Sequence, residues 1–247
     1  VRIFNHNPKF EYREFTINED TTPYKTGEWG NYVKAGIFWL PPKNKNGFNA
    51  LIFGNVPSAS GLSSSSALVV ASALTFLRAN DIKIERLELA DSLSKAEHYV
   101  GTMGGGMDQA ISLLGKEGSA LSIDFHPLEI NNVNIPKDVC FVVINSMISA
   151  PKTEAARFKY NRRPIECKIV TAFLNKFVNE KYSTKIDFQY IGFLKKKFPE
   201  FGIDVIDYIL TDVLNLESYS LNDMVSALDI DGNKFKEKYL KLKDGSF

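Results

Sequence analysis

Residues Asn55–Ala67, which read NVPSASGLSSSSA, constrain this chain more than any other stretch. They join one apolar run, Ala50–Val56 (ALIFGNV), to another, Ala67–Arg78 (ALVVASALTFLR). The first run is short and closed by Pro57, which predicts a strand. The second is long and apolar nearly all round, which predicts a buried helix. A strand, a Gly/Ser turn and a helix in that order place a helix N-terminus at the turn. Its unsatisfied N–H groups and partial positive charge attract phosphate. Gly61 lets the backbone approach closely, and the serines add hydroxyl donors. Serine is also a good N-cap, and one capping serine needs no function. Four in a row opening an apolar helix exceed what a cap requires. The turn is no P-loop: it lacks G-x-x-x-x-G-K-[ST] and any lysine, so countercharge must come from a metal and from residues elsewhere.

A second constellation lies at Ala96–Gln109 (AEHYVGTMGGGMDQ). Apolar residues at 84, 87, 90, 93 and 96 predict a helix over Ile84–Val100, and a short helix is expected over Met107–Leu114 behind the glycine run. Glu97 then lies late on one helix, while Asp108 opens the next. Two carboxylates on separate supports can divide the work, one holding a divalent cation and the other facing a substrate hydroxyl. Taken singly, Asp108 reads equally well as a first-turn acid on the helix dipole, and Glu97 as a solvated position beside Lys95.

The rest supplies the frame. Phe10, Tyr12 and Phe15 have strand spacing within residues 1–20, and Glu28–Leu40 reads as an amphipathic helix stopped at Pro41-Pro42, with an exposed loop after it to Asn49. Strands are expected at Ser119–Phe125 and Val139–Asn145, the second (VCFVVIN) apolar enough to be central. From Ser146 the text turns helical and lysine-rich. The expectation is an α+β protein with an N-terminal part, 1–145, and a mostly helical part, 146–247. With 30 basic and 29 acidic residues the chain has no basic excess for nucleic acid. No apolar run reaches the ~18 residues that a membrane span needs. Cys140 and Cys167 make no disulfide framework, which suits a reducing cytoplasm. Asp229-Ile-Asp231-Gly-Asn233 reads as a turn rather than a calcium loop, because Leu240 stands where the closing Glu should be. His6, His98 and His126 lack metal-ligand spacing, and the lysines at 195–197 and 234–243 read as solvated helix faces.

These residues resemble a known family. Pro57-x-x-x-Gly61-Leu-Ser-Ser-Ser is similar to the second signature of the GHMP kinases, small-molecule kinases named for galactose, homoserine, mevalonate and phosphomevalonate. The eleven-residue step from Glu97 to Asp108 is similar to that superfamily's spacing from metal ligand to catalytic Asp. Ala96-Glu-His-Tyr-Val-Gly, Gly-Gly-Met-Asp-Gln, Gly118-Ser-Ala-Leu-Ser-Ile-Asp124, Trp29-Gly-Asn-Tyr-Val-Lys-Ala35 and Tyr160-Asn-Arg-Arg163 with Glu166-Cys167 resemble galactokinases.

The resemblance implies a GHMP-like two-domain fold and transfer of the γ-phosphoryl group of ATP to the 1-hydroxyl of galactose, with Mg²⁺. Position by position, Asp108 matches the carboxylate at the anomeric hydroxyl, the proposed general base. Ser65 and Glu97 match magnesium ligands, and Pro57, Gly61, Leu62, Ser63, Ser64 and Ser65 the triphosphate turn. Trp29 and Tyr32 match the aromatics enclosing adenine; Gly105 and Tyr160 match sugar contacts. Without the family, core packing is the preferred reading of Trp29, Tyr32 and Tyr160. The sequence contains neither the family's Gly-Arg-x-Asn-(Leu/Ile)-x-Gly-Glu-His segment nor its Gly-Ala-Gly-Trp-Gly-Gly segment. The expectation is a piece of a longer chain, truncated at both ends and inactive alone, from a monomeric cytoplasmic kinase whose partners are sugar and ATP. Two relatives are alternatives: an N-acetylgalactosamine kinase, and a non-catalytic galactose sensor that grips a transcriptional regulator. Tyr160 favours galactose over the first, and the full-length serine turn favours catalysis over the second.

Overall fold

The computed structural model describes residues 1–17, 22–40, 46–125, 127–148, 156–193, 211, 214 and 216–241. The helix stop at Pro41-Pro42, His126, the lysines at 195–197 and the end of the 234–243 segment lie outside them. The chain forms two compact units, Val1–Tyr160 and Asn161–Phe247.

In the first unit, β1 (Arg2–Asn5) lies between β2 (Arg13–Glu14), antiparallel to it, and β3 (Asn49–Ile52), parallel to it. Between Phe10 and Phe15 only Arg13 and Glu14 are strand; Phe10 and Phe15 instead pack against the core. Helices α1 (Gly30–Phe38) and α2 (Ser64–Ala79) form within the expected segments, α2 starting three residues before the expected Ala67. Val33 and Ile37 of α1 meet a stripe of α2 formed by Val69, Val70, Ala73, Phe76 and Leu77. The two helices approach backbone to backbone at Gly36, where an added Cβ would fall 2.3 Å from the Val69 carbonyl oxygen. Contrary to the all-round apolar reading, α2 buries one face, this stripe with Ser66 and Ser72, and leaves Leu74 exposed on the other, which has no partner among the described residues.

The helix read over Ile84–Val100 is two elements: α3 (Arg86–Leu93) and a 3₁₀ turn, Ala96–Val100, closed by Gly101 at φ 78°. The tighter turn carries Ala96 and Glu97 inward, where both are buried. Helix α4 (Met107–Leu114) has the expected bounds. β4 (Ser119–Asp124) and β5 (Glu129–Asn134) form an antiparallel hairpin.

Val139–Asn145 is not the expected central strand. It has no secondary structure, and Phe141, Val142, Val143 and Ile144 are each at least 75% exposed. A run apolar on both faces needs neighbouring strands and two covering layers, and no described strand pairs with it.

Helix α5 (Ala156–Tyr182) contains Pro164, which cannot donate to the carbonyl of Tyr160 one turn earlier. In the second unit, Ile169 and Phe173 of α5 pack with Phe235 and Tyr239, while Leu174 and Val178 pack with Phe188. Helices α6 (Leu221–Leu228) and α7 (Gly232–Phe235) lead into a π-helical turn, Lys236–Leu240. Of the Asp229–Asn233 segment, Asp229–Asp231 form a turn and Gly232 and Asn233 already belong to α7: Asp229 ends α6 at φ 51°, and Asp231 caps α7 by accepting from the N–H groups of Asn233 and Lys234.

Candidate phosphate and cation site

After β3 the chain runs exposed through Asn55, Val56, Pro57 and Ser58 before it turns. Gly61 stands at φ 77° with open space where a side chain would project. Ala59 and Ser63 are also left-handed, at φ 54° and 55°. That conformation costs a non-glycine residue about 1–2 kcal/mol and tends to be kept where it serves a site. Leu62 is exposed, and Ser63, Ser64 and Ser65 are half-buried.

Ser63 occupies the N-cap position of α2, yet its side chain makes no capping hydrogen bond. An N-cap residue normally has extended backbone, which aims its oxygen at the orphan N–H groups. Ser63 has the wrong φ for that. No acid lies in the first turn either, so the positive end of α2 meets no carboxylate of its own helix. The capping account of the serines therefore loses its main support.

Immediately behind this terminus lies Glu97, only 4% exposed. Its Oε1 accepts hydrogen bonds from Ser65 Oγ at 3.3 Å, from Ser66 Oγ, and from Gln109 Nε2 at 3.2 Å. Glu97 is thus no solvated surface position. Tyr32 of α1 lies close enough that its phenol is pushed up to about 12, chiefly by burial and in smaller part by the neighbouring Glu97.

Gln109 brings the first turn of α4 to the same place, and Asp108 directly precedes it. Asp108 is half-buried, its carboxylate in no ion pair among the described residues. It sits in the first turn of α4, near the positive end of the helix dipole. Of the three glycines before it, Gly106 is the constrained one. It starts α4 at φ 85°, where a Cβ would lie 2.6 Å from that of Ser94, whereas Gly105 is exposed and open.

The outlying residues behave differently. Trp29 is buried, donates its indole N–H to the Glu11 carbonyl at 2.9 Å and meets Phe10 edge-on at 6.1 Å, so it works as a core residue here. Tyr160 stands on α5 as the last residue of the first unit, 36% exposed. Arg162 and Arg163 after it pair with Glu166, both at 2.7 Å. Ser66 and Gln109 were not among the residues singled out from sequence. The only signal was their place inside the two motifs, Ser66 last of the serines and Gln109 after Asp108.

The donor set fits Mg²⁺. Mg²⁺ is typically held by one or two protein oxygens, with the rest of its octahedron filled by phosphate oxygens and water. Ser65 and Glu97 supply a hydroxyl and a carboxylate within 3.3 Å of each other beside an uncapped helix N-terminus. Among the described residues no three His, Cys, Asp or Glu side chains gather as a protein-only cage.

Comparison with known proteins accords with this geometry. The family model described as the GHMP kinases N terminal domain matches residues 31–116, a span that holds the serine turn, Glu97 and Asp108. In shape the chain is similar to the crystal structure of Lactococcus lactis galactokinase complexed with galactose, with a TM-score of 0.58 over 83% of this chain and 51% of that one. At 24% identity that likeness is one of fold. The galactokinase of Candida parapsilosis is 38% identical over 176 residues, 67% of this chain and 34% of the relative. The galactokinase of Dictyostelium discoideum is 32% identical over 251 residues and covers 97% of this chain. The chain belongs to the galactokinase family. It spans about half the length of the Dictyostelium relative, 49%. The α+β fold is therefore that of a GHMP kinase, and the galactokinase-family likeness extends through both compact units. Among the described residues no helix is long and apolar enough to cross a membrane.

Proposed function

We propose that this protein is a cytoplasmic ATP-dependent sugar kinase that transfers the γ-phosphoryl group of Mg-ATP to the 1-hydroxyl of galactose, giving galactose 1-phosphate and ADP. The observation that carries the reading is the uncapped, acid-free N-terminus of α2 set against buried Glu97 and the first turn of α4. Phosphoryl transfer requires positioning and charge stabilisation more than covalent chemistry, and this arrangement supplies both. In the proposal the turn Pro57–Ser65 cradles the phosphates, Gly61 giving them room and the first N–H groups of α2 binding them. Ser65 and Glu97 hold Mg²⁺, which when bound neutralises charge on the phosphates. Asp108 orients the sugar hydroxyl and accepts its proton as the O–P bond forms. Gly105 and Tyr160 contact the sugar. Tyr32 borders the adenine, with Trp29 behind it in the core.

The 247 residues hold no Gly-Arg-x-Asn segment and so no arginine from it to steady the transferred phosphate. Normal turnover on this reading needs a longer form of the protein, and the 247 residues alone bind nucleotide with little galactose-dependent ATP consumption. In a longer form Asp108→Asn keeps the shape but removes the proton acceptor, and kcat should fall about 10²–10⁴-fold with nucleotide affinity little changed. Phosphorus NMR of the product identifies the phosphorylated hydroxyl. A longer form of the wild-type protein that consumes ATP no faster with galactose than without would overturn the reading.

A further inference from the structure

The three hydrogen bonds to Glu97 are unevenly placed. Ser65, Ser66 and Gln109 all donate to Oε1, and no described hydrogen bond reaches Oε2. A carboxylate oxygen has about two lone-pair sites, so Oε1 is saturated while Oε2 keeps its full acceptor capacity. Two of the donors are themselves almost wholly enclosed, Ser66 at 1% and Gln109 at 3% exposed. They come from different helices, α2 and α4, and grip one oxygen from two directions. A buried acid that served packing alone would be satisfied at both oxygens, or paired with a base. Glu97 is in no ion pair among the described residues.

We propose that Ser66 and Gln109 are positioning residues that clamp Oε1 of Glu97 and so present Oε2, in one fixed orientation, to the cation that accompanies the nucleotide. This rests on the kinase reading above, specifically on Glu97 as a cation ligand. The clamp does two things. It stabilises a charged carboxylate in a buried place before the cation arrives. It also leaves Ser65 replaceable: with Oε1 still held by two donors, Ser65 Oγ can turn from Glu97 to the cation. Partners of this kind, one bond removed from the metal, typically contribute about 10–100-fold in metal affinity.

The test is the ratio of ATP affinities with and without Mg²⁺, measured by calorimetry on the 247-residue chain, together with melting temperature in the absence of ligands. Ser66→Ala and Gln109→Met should each lower that ratio about tenfold. Ser66→Thr, which keeps the hydroxyl, should restore most of it. A purely structural role predicts a lower melting temperature with the ratio unmoved, and that result overturns the proposal. If Gln109→Met does not fold, Ser66→Ala, which removes a single oxygen, decides alone. Glu97→Gln separates the two levels: a ratio unaffected by this change refutes Glu97 as the cation ligand. A ratio lost in Glu97→Gln but intact in the Ser66 and Gln109 variants refutes only the clamp.

Discussion

Helices α2 and α6 both start at a serine and end in opposite states. Ser220 opens α6 with extended backbone, at φ −71° and ψ 167°, and accepts from the N–H of Asp223. Asp223 reaches back to the Ser220 N–H at 2.8 Å, completing a capping box. Ser63 opens α2 in the left-handed region, makes no cap bond and has no acid in the turn that follows. The residue type is the same, so the difference lies in backbone and neighbours. α6 consumes the positive end of its dipole internally, and α2 leaves its own open beside Glu97. A helix that declines an easy cap forgoes about 1 kcal/mol, and an anion bound there is the physical return for that loss.

The largest effect should come from forcing α2 to resemble α6. Ser64→Asp places an acid in the first turn, where the dipole stabilises it by about 0.3–1 kcal/mol. If the terminus exists for structure, the variant is merely more stable. If it exists for phosphate, two like charges compete for one place at a cost of several kcal/mol, and ATP binding should weaken by about 100-fold or more. Calorimetry and melting of the same preparation should therefore move in opposite directions, with tighter or unchanged ATP binding breaking the comparison.

That contrast was half legible in the sequence. The order strand, turn, helix over Ala50–Arg78 follows from local pattern, although the strand stops at Ile52 and the helix starts at Ser64; α4 follows too, because period and glycine punctuation are properties of neighbouring residues. The missing cap was not legible, since serine at a helix start predicts a cap and only the φ of Ser63 denies it. The clamp was not legible either: Ser66 and Gln109 lie 31 and 12 residues from Glu97, and only packing of α2 and α4 on the 3₁₀ turn brings them together. Val139–Asn145 fails for the converse reason. Its composition fits a central strand, but a strand is a relation between segments, and no described segment provides the partner.

A middle-sized effect should separate the two serines directly. Ser220→Ala removes the hydroxyl that Asp223 N–H donates to, and the second unit should lose about 1 kcal/mol. Ser63→Ala removes no cap bond, and stability should change by less than about 0.5 kcal/mol. Urea titrations that gave both alanines the same cost would show that α2 is capped after all, and the open terminus would lose its meaning.

The smallest effect is in the pH dependence of α6 and follows from who donates to Asp223. The Ser220 hydroxyl, and after it the Ser220 backbone N–H, hold this exposed carboxyl below its ordinary value of 3.8. A carboxyl whose folded value is depressed binds fewer protons folded than unfolded. Its stabilisation is complete above the ordinary value and disappears as pH drops through the lowered one. In Ser220→Ala the larger cause is gone while the backbone donor remains, so Asp223 moves part of the way back. The melting-temperature gap between wild type and Ser220→Ala should thus be constant from neutral pH down to about pH 5, then narrow below about pH 4 as the wild-type carboxyl protonates. The same experiment on Ser63→Ala should show a flat difference, because no carboxylate answers that serine. A gap that narrowed equally in both variants would mean that acid loosens the two helix starts by one common route, and that the box at Ser220 is not what distinguishes them.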